Sequence, residues 1–326
     1  MKIPLFLLVA QLSISAKAQD TLKYSNQTAI PYPAFKRLTI QQDYFGNSDY
    51  KISNKGGELQ EQGEVSGSRL KINGAIPIYK KNRFSLIAGV LYTRQSINHY
   101  KKVDDMNNQY QKTETKYSDF DALLSATYIG KLWNKVLITN GNVIIGSTNF
   151  FGIKKINGLV TSTLMIKASA STISTLGLSL VLDKSSLVPV IPVYSYWHKF
   201  SGSDWEIDAI LPQKLILRRS GVLNGWLSAG AELRNDSFFL KLDGDGVNRS
   251  GNYEWISNEI FSNIGYEYLL GKNFLLGIKG GFRNTLTTRL IRVNDKYDDY
   301  RAKTKIASTF FNMSLSFVLP SPGSRR

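Results

Sequence analysis

Residues able to do acid–base, nucleophilic or metal chemistry are scarce in this chain. It holds 2 His and no Cys in 326 residues, which removes disulfides, thiolate metal sites and Cys nucleophiles and leaves zinc or haem few ligands. For acyl transfer a His must reach a Ser hydroxyl and be oriented by a third polar group. His99 stands beside Asn98 and Tyr100, and His198 follows Trp197. Neither lies in a recognisable lipase or deacylase motif, and both read as interface anchors among aromatics, which leaves lipid hydrolysis the least favoured activity. The stretch LDGDGVN spaces Asp243 and Asp245 like the ligands of a calcium loop. An EF-hand loop begun at Asp243 needs Gly where Asn248 stands, so the stretch reads as a loop tip. There is no GxxxxGK(S/T) phosphate loop. No catalytic, cofactor or metal residue is assigned, and no enzyme is expected.

What the sequence does carry is charge at regular intervals. In RLKINGAIPIY, Leu70, Ile72, Gly74, Ile76 and Ile78 interleave with Arg69, Lys71, Asn73, Ala75 and Pro77. A strand sends successive side chains to opposite faces, so one face is apolar and the other charged. The same alternation sets Leu176, Leu178, Leu180 and Leu182 on one face, where Arg at Leu178 should be far more damaging than Arg at Ser179. Taken in register, the charged faces hold Arg69, Lys71, Asp121, Glu206, Asp208, Lys214, Arg218, Glu232, Arg234, Glu259, Lys279 and Arg283, seven basic and five acidic. Charge facing lipid is costly, so these residues should line a lumen. Such a lumen is either a polar channel with mild anion preference or one closed by its own ion pairs.

The elements that must position these charges are strands of a transmembrane antiparallel β-barrel, an all-β fold. No segment beyond the start is apolar long enough for a spanning helix, and mean hydropathy is −0.19. Residues 1–18 follow the secretory pattern, with Lys2, an apolar run and Ala16-Lys17-Ala18 as a small-x-small cleavage site near Ala18. Residues 19–35 are expected to form a periplasmic segment, 36–319 the barrel, and 320–326 a short tail. Tight turns at Lys80–Arg83, Leu132–Lys135 and Leu270–Asn273 alternate with long connections at 46–63, 98–116, 235–252 and 285–302. That rhythm suits an outer-membrane barrel with about 14 strands and both termini in the periplasm, the alternative being 12 if Trp205–Arg219 is one bent strand around Pro212. The last strand sets Phe311, Met313, Leu315, Phe317 and Leu319 on one face, the kind of terminal signal that barrel-assembly machinery reads.

At VPVIPVYSYWHKF and WEIDAILPQKLILRR the chain resembles the uncharacterised outer-membrane β-barrels of Bacteroidota-type bacteria, a domain of unknown function. The likeness rests on Pro189 and Pro192 followed by Tyr194, and on Trp205 leading through Leu211-Pro212 to Arg218-Arg219. It implies fold and location and brings no catalytic residue. The formal charge of +16 is spread over turns and strand faces. Lipid and lipopolysaccharide are therefore the expected partners, and nucleic acid is not. A passive or gated pore is the function expected first. A non-conducting barrel whose loops bind a partner or surface glycan comes next.

Overall fold

The computed structural model describes residues 32, 35–104, 109–148, 151–186, 188–242, 251–296 and 298–319. The expected leader, most of the segment to residue 35, the tail, and Asp243 and Asp245 lie outside them. Fifteen strands run in chain order: β1 Lys36–Asn54, β2 Leu59–Lys81, β3 Phe84–Asp104, β4 Gln109–Leu132, β5 Lys135–Thr148, β6 Phe151–Ala168, β7 Thr172–Leu182, β8 Val190–Lys199, β9 Trp205–Leu211, β10 Lys214–Val222, β11 Gly225–Leu242, β12 Gly251–Leu270, β13 Phe274–Arg292, β14 Ala302–Lys305 and β15 Ala307–Val318. Both β14 and β15 pair with β13 on one side and β1 on the other, so they form one stave interrupted at Ile306. Every other strand pairs antiparallel with its sequence neighbours, and the sheet closes as a barrel of 14 staves. Closure leaves no sheet edge to be satisfied in lipid.

Turn chemistry fixes the registers at the end where the first strand begins and the last one finishes. Trp133-Asn134 and Leu223-Asn224 both take positive φ at each central residue. That is the two-residue reversal whose twist matches the flanking strands. Pro212 and Gln213 separate β9 from β10, so Trp205–Arg219 is a hairpin rather than one bent strand.

The long connections are mostly strand. In 46–63, Tyr50 pairs with Gly63 and Ile52 with Glu61, and only residues 55–58 turn. Likewise β3 and β4 pair out to Asp104 and Gln109, β11 and β12 to Leu242 and Gly251, and β13 to Arg292. These extensions lack apolar alternation because they rise past the lipid belt, where no outward face needs to be greasy. Loop length does not follow parity either, since the two-residue β9–β10 turn lies at the same end as the long extensions.

The outward face carries a belt of exposed apolar side chains, among them Ile40, Ile76, Val90, Leu124, Leu178, Ile264, Ile278 and Met313. Aromatics bound it, with Tyr79, Phe84, Tyr128 and Phe274 towards the termini and Tyr44 and Phe311 on the far side. From Phe120 to Leu132 the strand climbs about 40 Å, or about 30 Å of height at the usual ~40° tilt, enough for the ~25 Å apolar band of such barrels. Tyr50 and His99 lie beyond the belt.

The wall is uneven. β3 has 21 residues and β9 has 7, roughly 70 Å against 23 Å of chain at about 3.3 Å per residue. Pairing between β10 and β11 stops at Lys214–Glu232, and above it β11 keeps β12 on one side only. Its upper edge leans across the interior: the Phe239 N–H points at Asp119 Oδ1 of β4 (3.5 Å). The Phe239 ring lies 3.1 Å from where a Cβ would stand at Gly146 of β5. Asp236 therefore faces β2, while Leu233 packs with Leu159 of β6 and Ile191 of β8. Both faces of β11 are interior at this height.

Candidate functional site: a charge-filled lumen below an aromatic chamber

Period-2 alternation turns the charged faces of β1, β2, β11, β12 and β13 towards one another. Arg69 Nη1 donates to Asp236 Oδ2 at 2.5 Å and to Glu259 Oε2 at 3.2 Å, and its Nε donates to Gln95 Oε1 at 2.9 Å. Lys71 also donates to Asp236. Lys279 Nζ reaches Glu232 at 2.7 Å, Arg234 reaches Glu232 at 3.2 Å and Asp43 at 3.8 Å, and Arg283 lies 3.8 Å from Glu259. Three aromatics, Phe45, Phe261 and Phe310, fill the space between. The guanidiniums of Arg69 and Arg283 lie 5.0 and 4.0 Å from the Phe45 ring centre, and that of Arg234 lies 4.2 Å from Phe261. Arg69 is 1% exposed, Asp43 and Phe261 0%. At mid-height the lumen is packed rather than open.

A second layer closes the end near the termini. Arg218 pairs with Glu206 at 2.5 Å, and its guanidinium lies 3.7 Å from the ring centre of Tyr32. The Tyr32 hydroxyl donates to Glu267 at 2.6 Å and Lys36 reaches the same carboxylate at 2.8 Å. Tyr32 belongs to the segment expected to precede the barrel, and it sits inside, against Trp226, Leu275 and Val318. Lys214 pairs with Asp208 at 2.5 Å beside this layer. A third group lies behind β11, where Lys155 joins Asp183 at 2.9 Å and Glu254 at 2.7 Å. Asp121 and Asp119 share a face of β4 there, with Asp121 Oδ1 3.1 Å from the Cβ position of Gly146.

The structure thus draws Arg69, Lys71, Glu232, Arg234, Glu259, Lys279 and Arg283 into one network. It puts Glu206, Asp208, Lys214 and Arg218 in another, and Asp121 near a third. Sequence reading missed Asp43, Asp119, Asp183, Asp236, Glu254 and Glu267 among the acids, and Lys36 and Lys155 among the bases. Glu267 was findable, since it shares parity with Glu259 on β12. Asp236 was hidden inside a stretch read as loop. With these added, seven basic and five acidic groups become nine and eleven among the described residues, and the basic excess that motivated anion preference is gone.

Above the mid-lumen network, towards the far end, lies a chamber of about 60 Å³. Tyr50, Ile52, Val65, Ile97, Phe238 and Trp255 line its walls, and Arg69, Glu259 and Arg283 its floor. His99 points into it, edge-on to Tyr50 at 5.6 Å between ring centres, so it is an interior residue and not a membrane-interface anchor. Partial burial holds His99 below the ordinary imidazole value, with Glu61 opposing. The Tyr50 hydroxyl donates to Glu61 at 2.5 Å, and burial with that bond pushes Tyr50 above the usual phenol range. His198 lies at the opposite end, on the outward ladder Tyr194, Tyr196, His198, with its Nδ1 2.8 Å from the Thr172 hydroxyl. Neither His meets a Ser hydroxyl among the hydrogen bonds of the described residues. These contain no cluster of three or more His, Cys, Asp or Glu placed to hold a metal ion.

No protein-family model matches the chain, and no curated protein does. Among solved structures, it is similar to an outer membrane channel from Pseudomonas putida F1, with 10% identity over 90% of this chain and 98% of that one, at TM-score 0.39. The TodX monoaromatic hydrocarbon channel follows, with 9% identity, 92% and 93% coverage and TM-score 0.40. A Pseudomonas aeruginosa FadL homologue has 9% identity, 87% and 90% coverage and TM-score 0.31. At these values the likeness concerns barrel architecture alone.

Proposed function

We propose that the protein is a bacterial outer-membrane barrel, secreted across the inner membrane and set with both termini in the periplasm, that is closed at rest and works through the chamber facing the cell exterior. The belt of exposed apolar residues on a closed sheet supports the membrane, and short reversals at the termini end support the orientation. The observation that carries closure is Arg69 of β2 bridging Asp236 of β11 and Glu259 of β12, strands five and four staves away round the ring, across the interior. A permanently open diffusion pore has no room for that bridge.

Closure by side chains rather than by a folded plug favours a second reading, a gated pore. Ion pairs can exchange partners without unfolding a strand, so a ligand or lipid signal that repartners Arg69 would open a path. The test is planar-bilayer conductance of purified protein at neutral pH. Silence is expected, with occasional openings more frequent in Asp236→Asn. A steady open conductance in the unmodified protein would refute closure.

A further inference from the structure

We infer that the chamber binds a small monocarboxylate, its carboxylate on Arg283 and its apolar body between Val65, Phe238 and Trp255; this rests on the reading that the lumen is closed beneath. The mid-lumen network ties five cations, Arg69, Lys71, Arg234, Lys279 and Arg283, to the four carboxylates Asp43, Glu232, Asp236 and Glu259. Arg283 is the most loosely paired of these cations. It is 5% exposed, its one ion pair among the described residues is with Glu259 at 3.8 Å, and that carboxylate already accepts from Arg69 and from the Ser257 hydroxyl.

Three polar atoms on the chamber lining have no hydrogen-bond partner: Arg283 Nε, the hydroxyl of Thr304, itself 5% exposed, and His99 Nδ1. A buried cation and a buried hydroxyl without partners are costly. A carboxylate, whose oxygens are acceptors only, is the group that suits such donors. The walls offer mostly hydrocarbon and ring faces with neutral polar groups such as Ser66 and His99, and among the described residues the lining has no cation beyond Arg69 and Arg283, so a second negative charge on the ligand would be stranded. The chamber's size, about 60 Å³, takes roughly four to six water-sized groups, which is the scale of propionate.

The experiment is titration calorimetry of the folded barrel in non-ionic detergent with propionate, propanol, propylammonium and succinate. One saturable site for propionate alone is expected. Arg283→Gln should weaken it at least tenfold, and Thr304→Val by less. If Arg283→Gln fails to fold, Val65→Phe, which fills the chamber from its wall, must abolish binding in a barrel that still shifts mobility on heating. No saturable binding of propionate, equal binding of propanol, or unchanged affinity in the folded variants would each overturn the inference. A steady bilayer conductance would instead overturn the closed lumen while leaving the isotherm intact, so the two failures are distinguishable.

Discussion

Arg69 of β2 and Asp236 of β11 meet at 2.5 Å although no backbone hydrogen bond joins their strands. The pair spans the interior, so it reports on closure and not on the sheet. Removing one partner strands a buried charge, which costs about 3–5 kcal/mol in general. Arg69→Gln should therefore lower the temperature at which the barrel loses its compact mobility in detergent. The double variant Arg69→Gln with Asp236→Asn should lose less than the two single losses added together. Strict additivity would mean that the pair does not couple the walls.

Leu178 is 54% exposed and Ser179 1%, so the facing read from alternation holds for β7. An outward Arg at mid-belt costs roughly 2–4 kcal/mol, and Leu178→Arg should reduce the folded fraction. The contrast with Ser179→Arg is weaker than the sequence suggests. Ser179 hydrogen-bonds Thr161 at 2.7 Å in a packed interior, where an Arg has no space. The informative comparison is Ser179→Ala, expected to assemble near normally; equal damage from Ser179→Ala and Leu178→Arg would reverse the facing.

Next to these residues Gly177 is needed for close approach. A Cβ there would stand 2.0 Å from the Ser162 carbonyl oxygen of β6, and backbone cannot yield as a side chain does. Gly177→Ala should destabilise the barrel by about 1–3 kcal/mol, the usual cost of forced overpacking. A folded fraction and heat shift equal to the unmodified protein would show that β6 and β7 can part without penalty.

Stave number and the facing of strands such as β7 were legible because lipid imposes period-2 contrast on any strand it touches. Legibility ended where lipid does. Tyr50, Glu61 and His99 sit on paired strand above the belt, yet their neighbourhoods are Gly-, Asn- and Gln-rich and read as loop. The inward lean of β11 was invisible for another reason. Leu233 is apolar whether it meets lipid or Leu159 and Ile191, so alternation cannot tell outside from a second interior face. Closure followed from partners such as Asp236 and Tyr32, which sequence placed outside the barrel wall.

His99 provides a pH test confined to the chamber. Its imidazole is held below the ordinary value of 6.5, burial being the main cause. The unfolded chain therefore binds a proton more readily than the folded one, and folded-state stability rises with pH across the window below 6.5. The stabilising difference is fully present above that value and is lost as pH falls through the folded value. Acidification from 7 towards 5 should thus remove the stabilising contribution of neutral His99, so that the melting temperature of the unmodified barrel in detergent falls relative to that of His99→Gln, which cannot titrate, over that part of the curve. Because Glu61 opposes the shift, Glu61→Gln should depress the imidazole further and widen the window towards lower pH. The measurement is thermal melting followed by circular dichroism at several pH values, with the imidazole titration read separately by NMR. A His99→Gln curve parallel to the unmodified one would mean that the acid response comes from other groups, and an imidazole titrating above 6.5 would reverse the sign.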